Sequence, residues 1–176
     1  MKKEFSVKQL GAAQIPSPLP LSSNSKQKEL HFVQDDARIL HDVTVFPGSN
    51  TKNPQSIEQA GPRSHLYFDA SKVKAGIVTC GGLCPGINDV IRSIVMQLYH
   101  NYGVKRIQGF RYGFQGFIPA YKHEILELTP ALVKNIHNLG GSLLSSSRGP
   151  QDPVEIVDCL ERNNIRILFC IGGDGT

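Results

Sequence analysis

From Val73 onward the chain switches repeatedly between two hydrophobic periods, and three of its apolar runs end in a glycine-containing turn. Val73–Thr79 reads as a strand and runs into Cys80-Gly81-Gly82-Leu83-Cys84-Pro85-Gly86. Ile87–Tyr99 comes next as a helix, with Val90, Ile91, Ile94, Val95 and Leu98 at helical spacing. Val104–Phe110 is a second strand. Thr129 predicts a helix cap with Pro130 at the first position and Leu132, Val133, Ile136 and Leu139 on one face. Gly140 and Gly141 end that helix, and Ser142–Ser145 reads as a short strand. Asp152 caps the next helix, with Pro153 first, Glu155 in the opening turn and Val154, Ile156, Val157 and Leu160 as its apolar residues. Ile165–Ile171 is the last strand, read as a buried parallel one. Alternating strands and helices need a parallel sheet with helices on its faces. The expected fold class is α/β, a doubly wound, Rossmann-like parallel sheet that lacks its later strands.

Residues 1–70 lack this regularity and are expected to be an N-terminal extension, partly disordered; residues 71–176 are expected to be an incomplete nucleotide-binding α/β domain. Gln14–Ser25 is rich in Pro and Ser and reads as an extended arm. Val43–Phe46 is a candidate short strand, and Pro47–Asn50 and Gly61–Arg63 add further breaks. The net charge is +4, and the 19 basic residues form no run of the kind that marks a nucleic-acid surface. No stretch approaches the ~20 apolar residues of a membrane span. Met1-Lys2-Lys3 continues through Glu4, Lys8 and Gln9 without the apolar core of a secretory signal. A cytoplasmic location with no membrane or nucleic-acid partner is expected. Cys80 and Cys84 have no second Cys or His pair near enough in sequence to complete a zinc site. Cys159 and Cys170 are expected as buried, reduced thiols. The six histidines are scattered, and no Ser-His-Asp or Cys-His arrangement can be argued from them.

In a parallel sheet the three turns all open at the carboxyl edge of the strands, where ligands of such sheets bind. The 81–86 turn precedes a helix whose first N–H groups favour an anion, although a plain strand–helix turn has the same composition. Leu144-Ser-Ser-Ser-Arg148-Gly149-Pro150 offers a guanidinium that can bridge two phosphate oxygens; an exposed loop Arg is the alternative. Gly172-Gly173-Asp174-Gly175-Thr176 is the most specific of the three. Its glycines let backbone N–H groups approach a polyphosphate, and Asp174 can hold the accompanying Mg²⁺. The competing role of Asp174 is a helix cap.

These segments, together with Ala75–Arg92, Gly109–Phe117, Leu128–Asp152 and Ile171–Thr176 in order and at consistent spacing, resemble the ATP-dependent 6-phosphofructokinases. The resemblance covers about residues 60–176 and points to the branch holding plant enzymes and related bacterial and protist forms. It implies that Gly81 contacts the nucleotide phosphates, and that Arg148 and Gly149 line an ATP site. Gly173, Asp174, Gly175 and Thr176 would wrap the phosphates, with Asp174 as the Mg²⁺ ligand. It also implies transfer of the γ-phosphoryl group of ATP to the 1-hydroxyl of fructose 6-phosphate, and a homo-oligomer. Pyrophosphate-using relatives tend to carry Asp where this chain has Gly175, so glycine there favours ATP. The family's catalytic base lies in a Thr-Ile-Asp-Asn-Asp-like segment that this chain does not contain, and no catalytic residue is named. The chain is expected to be an N-terminal fragment, inactive alone and prone to aggregate through an uncovered last strand. Three alternatives stay open: a pyrophosphate-dependent enzyme, a kinase of the NAD-kinase or diacylglycerol-kinase type, and a non-catalytic nucleotide-binding or truncated product.

Overall fold

The computed structural model describes residues 7–22, 30–44, 46, 48 and 55–176. The chain divides into two units, one reaching Phe68 and one starting at Asp69.

In the first unit, β1 (Ile15–Pro16) pairs antiparallel with β4 (His65–Leu66), and β2 (Arg38–Leu40) with β3 (Ser56–Glu58). Phe32 is the only buried apolar side chain among its described residues. Polar bonds supply much of the tie instead. The Arg63 guanidinium donates to the carbonyls of Gln34 (2.5 Å) and Gln59 (2.6 Å) and to Glu58 Oε1 (3.2 Å). Of the expected strand Val43–Phe46, Val45 lies outside the described residues, and Val43, Thr44 and Phe46 belong to no strand. Ser23–Ser25 of the Pro/Ser-rich arm, with Pro47, Ser49 and Asn50, also lie outside them.

The second unit is built on a four-stranded sheet in the order β7-β6-β5-β8, formed by β5 (Lys74–Thr79), β6 (Arg106–Phe110), β7 (Ile125–Glu127) and β8 (Ile165–Ile171). β5 is parallel to β6, with Ala75 opposite Ile107 and Ile77 opposite Gly109. It is also parallel to β8, with Val78 opposite Cys170 and Thr79 opposite Ile171. All but the first residue of β5 are buried, as expected of a strand covered on both faces. Alternation puts Val78, then Cys80, against Phe110, Phe117, Cys159 and Ile165. Ala75, Ile77 and Thr79 face the other way. Gly109 lies on that second face, and a Cβ there would meet Leu144 at 2.5 Å and Leu128 at 3.1 Å. Glycine at this point lets the 142–146 segment lie close on the sheet.

Three helices flank the sheet: α1 (Ile87–Met96), α2 (Pro130–Val133) and α3 (Pro153–Arg162). α3 starts as its sequence requires, with Asp152 Oδ1 accepting from Val154 N–H at 2.9 Å and Pro153 in the first turn. Its Ile156 and Leu160 pack on the Val78–Phe110 cluster. None of the described helices is long and apolar enough to cross a membrane.

Several expectations need correction. The sheet is mixed, because β7 runs antiparallel to β6. β8 pairs only with β5 among the described strands and is half-exposed rather than buried, so Cys170 is exposed while Cys159 is buried. The helix from Ile87 is α-helical only to Met96 and continues as a π-helix over Gln97–Tyr102. Thr129 does cap α2, accepting from Leu132 N–H at 3.2 Å, but the α-helix ends after Val133. The Lys134 carbonyl accepts from Arg92 Nε, and a separate 3₁₀ turn covers Ile136–Asn138. Val133 and Ile136 are buried, whereas Leu132 and Leu139 are exposed. Ser142–Ser145 is a turn and not a strand: Ser145 N–H bonds to Ser142 O, Ser142 Oγ accepts from Leu144 N–H, and Ser145 has φ +58°. Short hydroxyl side chains bonding to nearby backbone outcompete a ladder there.

Candidate functional site

Because β5 and β8 are parallel and in register, the turns at their carboxyl ends emerge side by side. The Cys80 N–H donates to Ile171 O at 2.8 Å, one step beyond the last paired residues. Gly81 then turns away with φ +74°. On the β8 side, Thr176 N–H closes back onto Gly173 O at 3.1 Å. A Cβ on Gly172 would overlap the Thr176 side chain and lie 3.1 Å from Cys80 O, so the close approach of the two turns requires glycine at that position.

The Arg148 loop reaches the same edge through polar lashings. Thr79, buried at the end of β5, has its Oγ1 2.8 Å from Ser142 Oγ and 2.5 Å from Ser145 O. Asn88, 3% exposed in the first turn of α1, donates to Leu139 O at 3.0 Å and accepts from Leu143 N–H at 2.7 Å. Ser146 Oγ donates to Gly81 O at 2.5 Å. Gly113, at φ +58°, makes room for the loop, since a Cβ there would sit 2.8 Å from Ser147 Oγ and 3.1 Å from Ser147 N.

The result is a cleft of about 770 Å³, within the range of small-molecule sites. It brings together Gly81, Arg148, Gly149, Gly173, Asp174, Gly175 and Thr176, all seven residues singled out from sequence. Phe114, Gln151, Pro153 and Ile156 also line it, and sequence reasoning misses them. Phe114 sits inside the Gly109–Phe117 segment, whose order and spacing carry the family resemblance without giving Phe114 a role. Pro153 and Ile156 show in sequence only as the start and the apolar face of a helix. Nothing lies within 4 Å of where a Cβ would stand on Gly81, Gly82, Gly149, Gly173 or Gly175, so their backbones border open space.

Arg148 and Asp174 are both exposed, and no ion pair among the described residues engages either. One cation and one carboxylate therefore face the cleft uncommitted. Among the described residues no group of three or more His, Cys, Asp or Glu could hold a metal ion by itself. Asp174 is the only carboxylate lining the cleft. That donor set fits Mg²⁺, which is usually held by one or two carboxylates with phosphate oxygens and water completing the shell. Cys80 lines the cleft as well, and burial pushes its thiol up to about 11, with Cys170 nearby adding to the shift.

The fold and cleft define an α/β protein whose glycine turns border a cleft at the carboxyl edge of the parallel strands. Comparison with known proteins gives the family. Residues 74–176, more than half of the chain, match the phosphofructokinase model. The chain is 45% identical to an ATP-dependent 6-phosphofructokinase of Amycolatopsis methanolica over 98% of its own length and 38% of the relative's. It is 44% identical to an ATP-dependent 6-phosphofructokinase of Borreliella burgdorferi over 98% of this chain and 39% of the relative. Its structure resembles Pichia pastoris phosphofructokinase in the T-state with a TM-score of 0.51 and 20% identity, covering 72% of this chain and 14% of that one, a likeness of fold alone. The chain belongs to the phosphofructokinase family. It spans a little over a third of the length of the curated relatives it matches. The match takes in the 81–86 turn, the 109–117 segment and the Arg148 loop, which a reading as an NAD or diacylglycerol kinase leaves without a place.

Proposed function

We propose that this chain provides the ATP-binding part of an ATP-dependent 6-phosphofructokinase, which transfers the γ-phosphoryl group of ATP to the 1-hydroxyl of fructose 6-phosphate. The observation that carries the reading is the convergence of three separate glycine turns, one with an uncommitted guanidinium and one with an uncommitted carboxylate, on a single cleft. Phosphoryl transfer of this kind depends on positioning and charge neutralisation, with little covalent work for the protein. Gly81, Gly149, Gly173 and Gly175 offer backbone close to the phosphates, with Thr176 completing the last turn. Arg148 bridges phosphate oxygens, and Asp174 is the protein ligand for Mg²⁺. The ion, when bound, neutralises charge that builds on the transferred group. The open space at Gly175 leaves room for a nucleotide, whereas a carboxylate there would repel its α-phosphate, which favours ATP over pyrophosphate. No residue of this chain is assigned as catalytic base or sugar-phosphate ligand. Residues 71–176 are the nucleotide-binding part in this reading, with 1–70 as an extension. A homo-oligomer in the cytoplasm is also part of the proposal, and the modest net charge of +4 suits an anionic small molecule better than a nucleic acid.

A chimera tests the reading. This chain would replace the aligned part of the Amycolatopsis methanolica relative, and fructose 6-phosphate phosphorylation would be measured with MgATP and with Mg-pyrophosphate. Turnover with MgATP is expected, falling by roughly 100-fold or more in Arg148→Ala and Asp174→Ala. Turnover with pyrophosphate alone would refute the donor assignment. A folded chimera that binds MgATP and transfers nothing would confine the chain to nucleotide binding.

A further inference from the structure

We propose that Ser146 is a positioning residue, a latch that sets which way the Gly81–Gly82 peptide faces; the proposal rests on the nucleotide reading above. Gly81 and Gly82 are consecutive glycines at the lip of the cleft, and a Cβ on either would meet nothing within 4 Å. With Gly81 at φ +74° and no side chain on either residue, the peptide unit between them has little intrinsic preference for one face. The bond that holds it comes from outside the turn. Ser146 Oγ donates to Gly81 O at 2.5 Å.

The consequence is one of peptide geometry. No cis peptide is present among the described residues, and in a planar trans unit the C=O and N–H point in opposite directions. Fixing the Gly81 carbonyl toward Ser146 turns the Gly82 N–H away from it. Gly81 and Gly82 both line the cleft, and Ser146 does not. The latch thus offers the phosphate oxygens of a nucleoside di- or triphosphate an N–H donor, where a flipped peptide would offer the negative end of a carbonyl. The same bond ties the first turn to the loop that carries Arg148 two residues later.

The latch is held at its own base. Thr79 Oγ1 bonds to the carbonyl of neighbouring Ser145, and Asn88 clamps the segment at Leu139 and Leu143. The hydroxyl of Ser146 is therefore delivered to Gly81 by a loop anchored on β5 and α1, the same elements that carry the turn.

The test compares two variants of matched shape, Ser146→Thr and Ser146→Val, in the full chain. MgATP and MgADP are titrated by calorimetry, with melting temperatures measured alongside. The threonine variant is expected to keep the affinity of the unsubstituted chain. The valine variant is expected to lose roughly tenfold for both nucleotides with an unchanged melting temperature, since one donor to a charged group is misdirected. Equal affinities for the two variants would overturn the latch, whether both match the unsubstituted chain or both fall short of it. Failure of the unsubstituted chain to bind either nucleotide would overturn the nucleotide reading, and the latch with it.

Discussion

The Cys80 N–H donates to the Ile171 carbonyl at 2.8 Å, and this bond extends the β5–β8 ladder to the point where both strands give way to glycine turns. Two loops separated by about 90 residues of chain thus leave the sheet as neighbours, which is the geometry that places ligands at the carboxyl edge of parallel strands. Gly172, wedged beside Cys80 O and Thr176, and Gly113, wedged beside Ser147, are the positions where this crowding tolerates no side chain.

Asp174 is the single acid of the cleft. Asp174→Asn keeps the shape and removes the charge that the proposed Mg²⁺ site would use. Affinity for MgATP should fall about 10- to 100-fold, while affinity for metal-free ATP should hold or rise as a like charge is removed. Titrations with and without a chelator separate the two. Equal losses in both conditions would mean that Asp174 acts on something other than the metal.

Gly113→Ala should destabilise the chain by about 2–4 kcal/mol, from the left-handed backbone together with collision against Ser147. Because the colliding loop also carries Arg148, nucleotide affinity should fall as well. Urea denaturation gives the first quantity and titration the second. A variant as stable as the parent would show that the loop does not sit where described.

Thr79→Val replaces a buried hydroxyl that bonds to both Ser142 Oγ and Ser145 O. The expected cost is about 1–3 kcal/mol, because the Ser145 carbonyl is left without its donor. A shift in the denaturation midpoint with unchanged slope would record it. A neutral substitution would contradict the lashing role given to Thr79.

Cys80 supplies a dependence on pH. Its folded-state value is raised from 9.0 to about 11, chiefly by burial and secondly by Cys170. Between those values the unfolded chain releases the proton and the folded chain keeps it, so the folded state binds more protons and stability falls as pH rises. Stability should therefore decline across that window, by less than the full shift would give because solvent screens part of it. The stability difference between the parent and Cys80→Ala should shrink over the same range. Parallel curves would mean that the thiol is not buried as described.

What the sequence disclosed of all this has a physical pattern. β5, β6, β8 and the caps at Thr129 and Asp152 are written locally, in apolar runs and in side chains that bond their own backbone. Seven of the residues that line the cleft were legible because each stands in or beside a turn at the carboxyl edge of the sheet, where chain order predicts convergence, whereas Phe114, Gln151, Pro153 and Ile156 were not. β7 was not legible: Ile125, Leu126 and Glu127 are too few to show a period, and they form a strand only because β6 offers an edge. The 130–139 segment carries helical spacing, yet Arg92 draws off the Lys134 carbonyl and the helix stops. Asn88 resembles any polar residue in a helix, since its two bonds go to residues more than 50 positions away.

Amide hydrogen exchange with and without MgATP tests the convergence of the three turns most directly. The account predicts that backbone amides at 81–86, at 148–149 and at 172–176 gain protection together, with one half-saturating concentration common to all three. Protection confined to a single turn, or appearing at different concentrations in different turns, would contradict it.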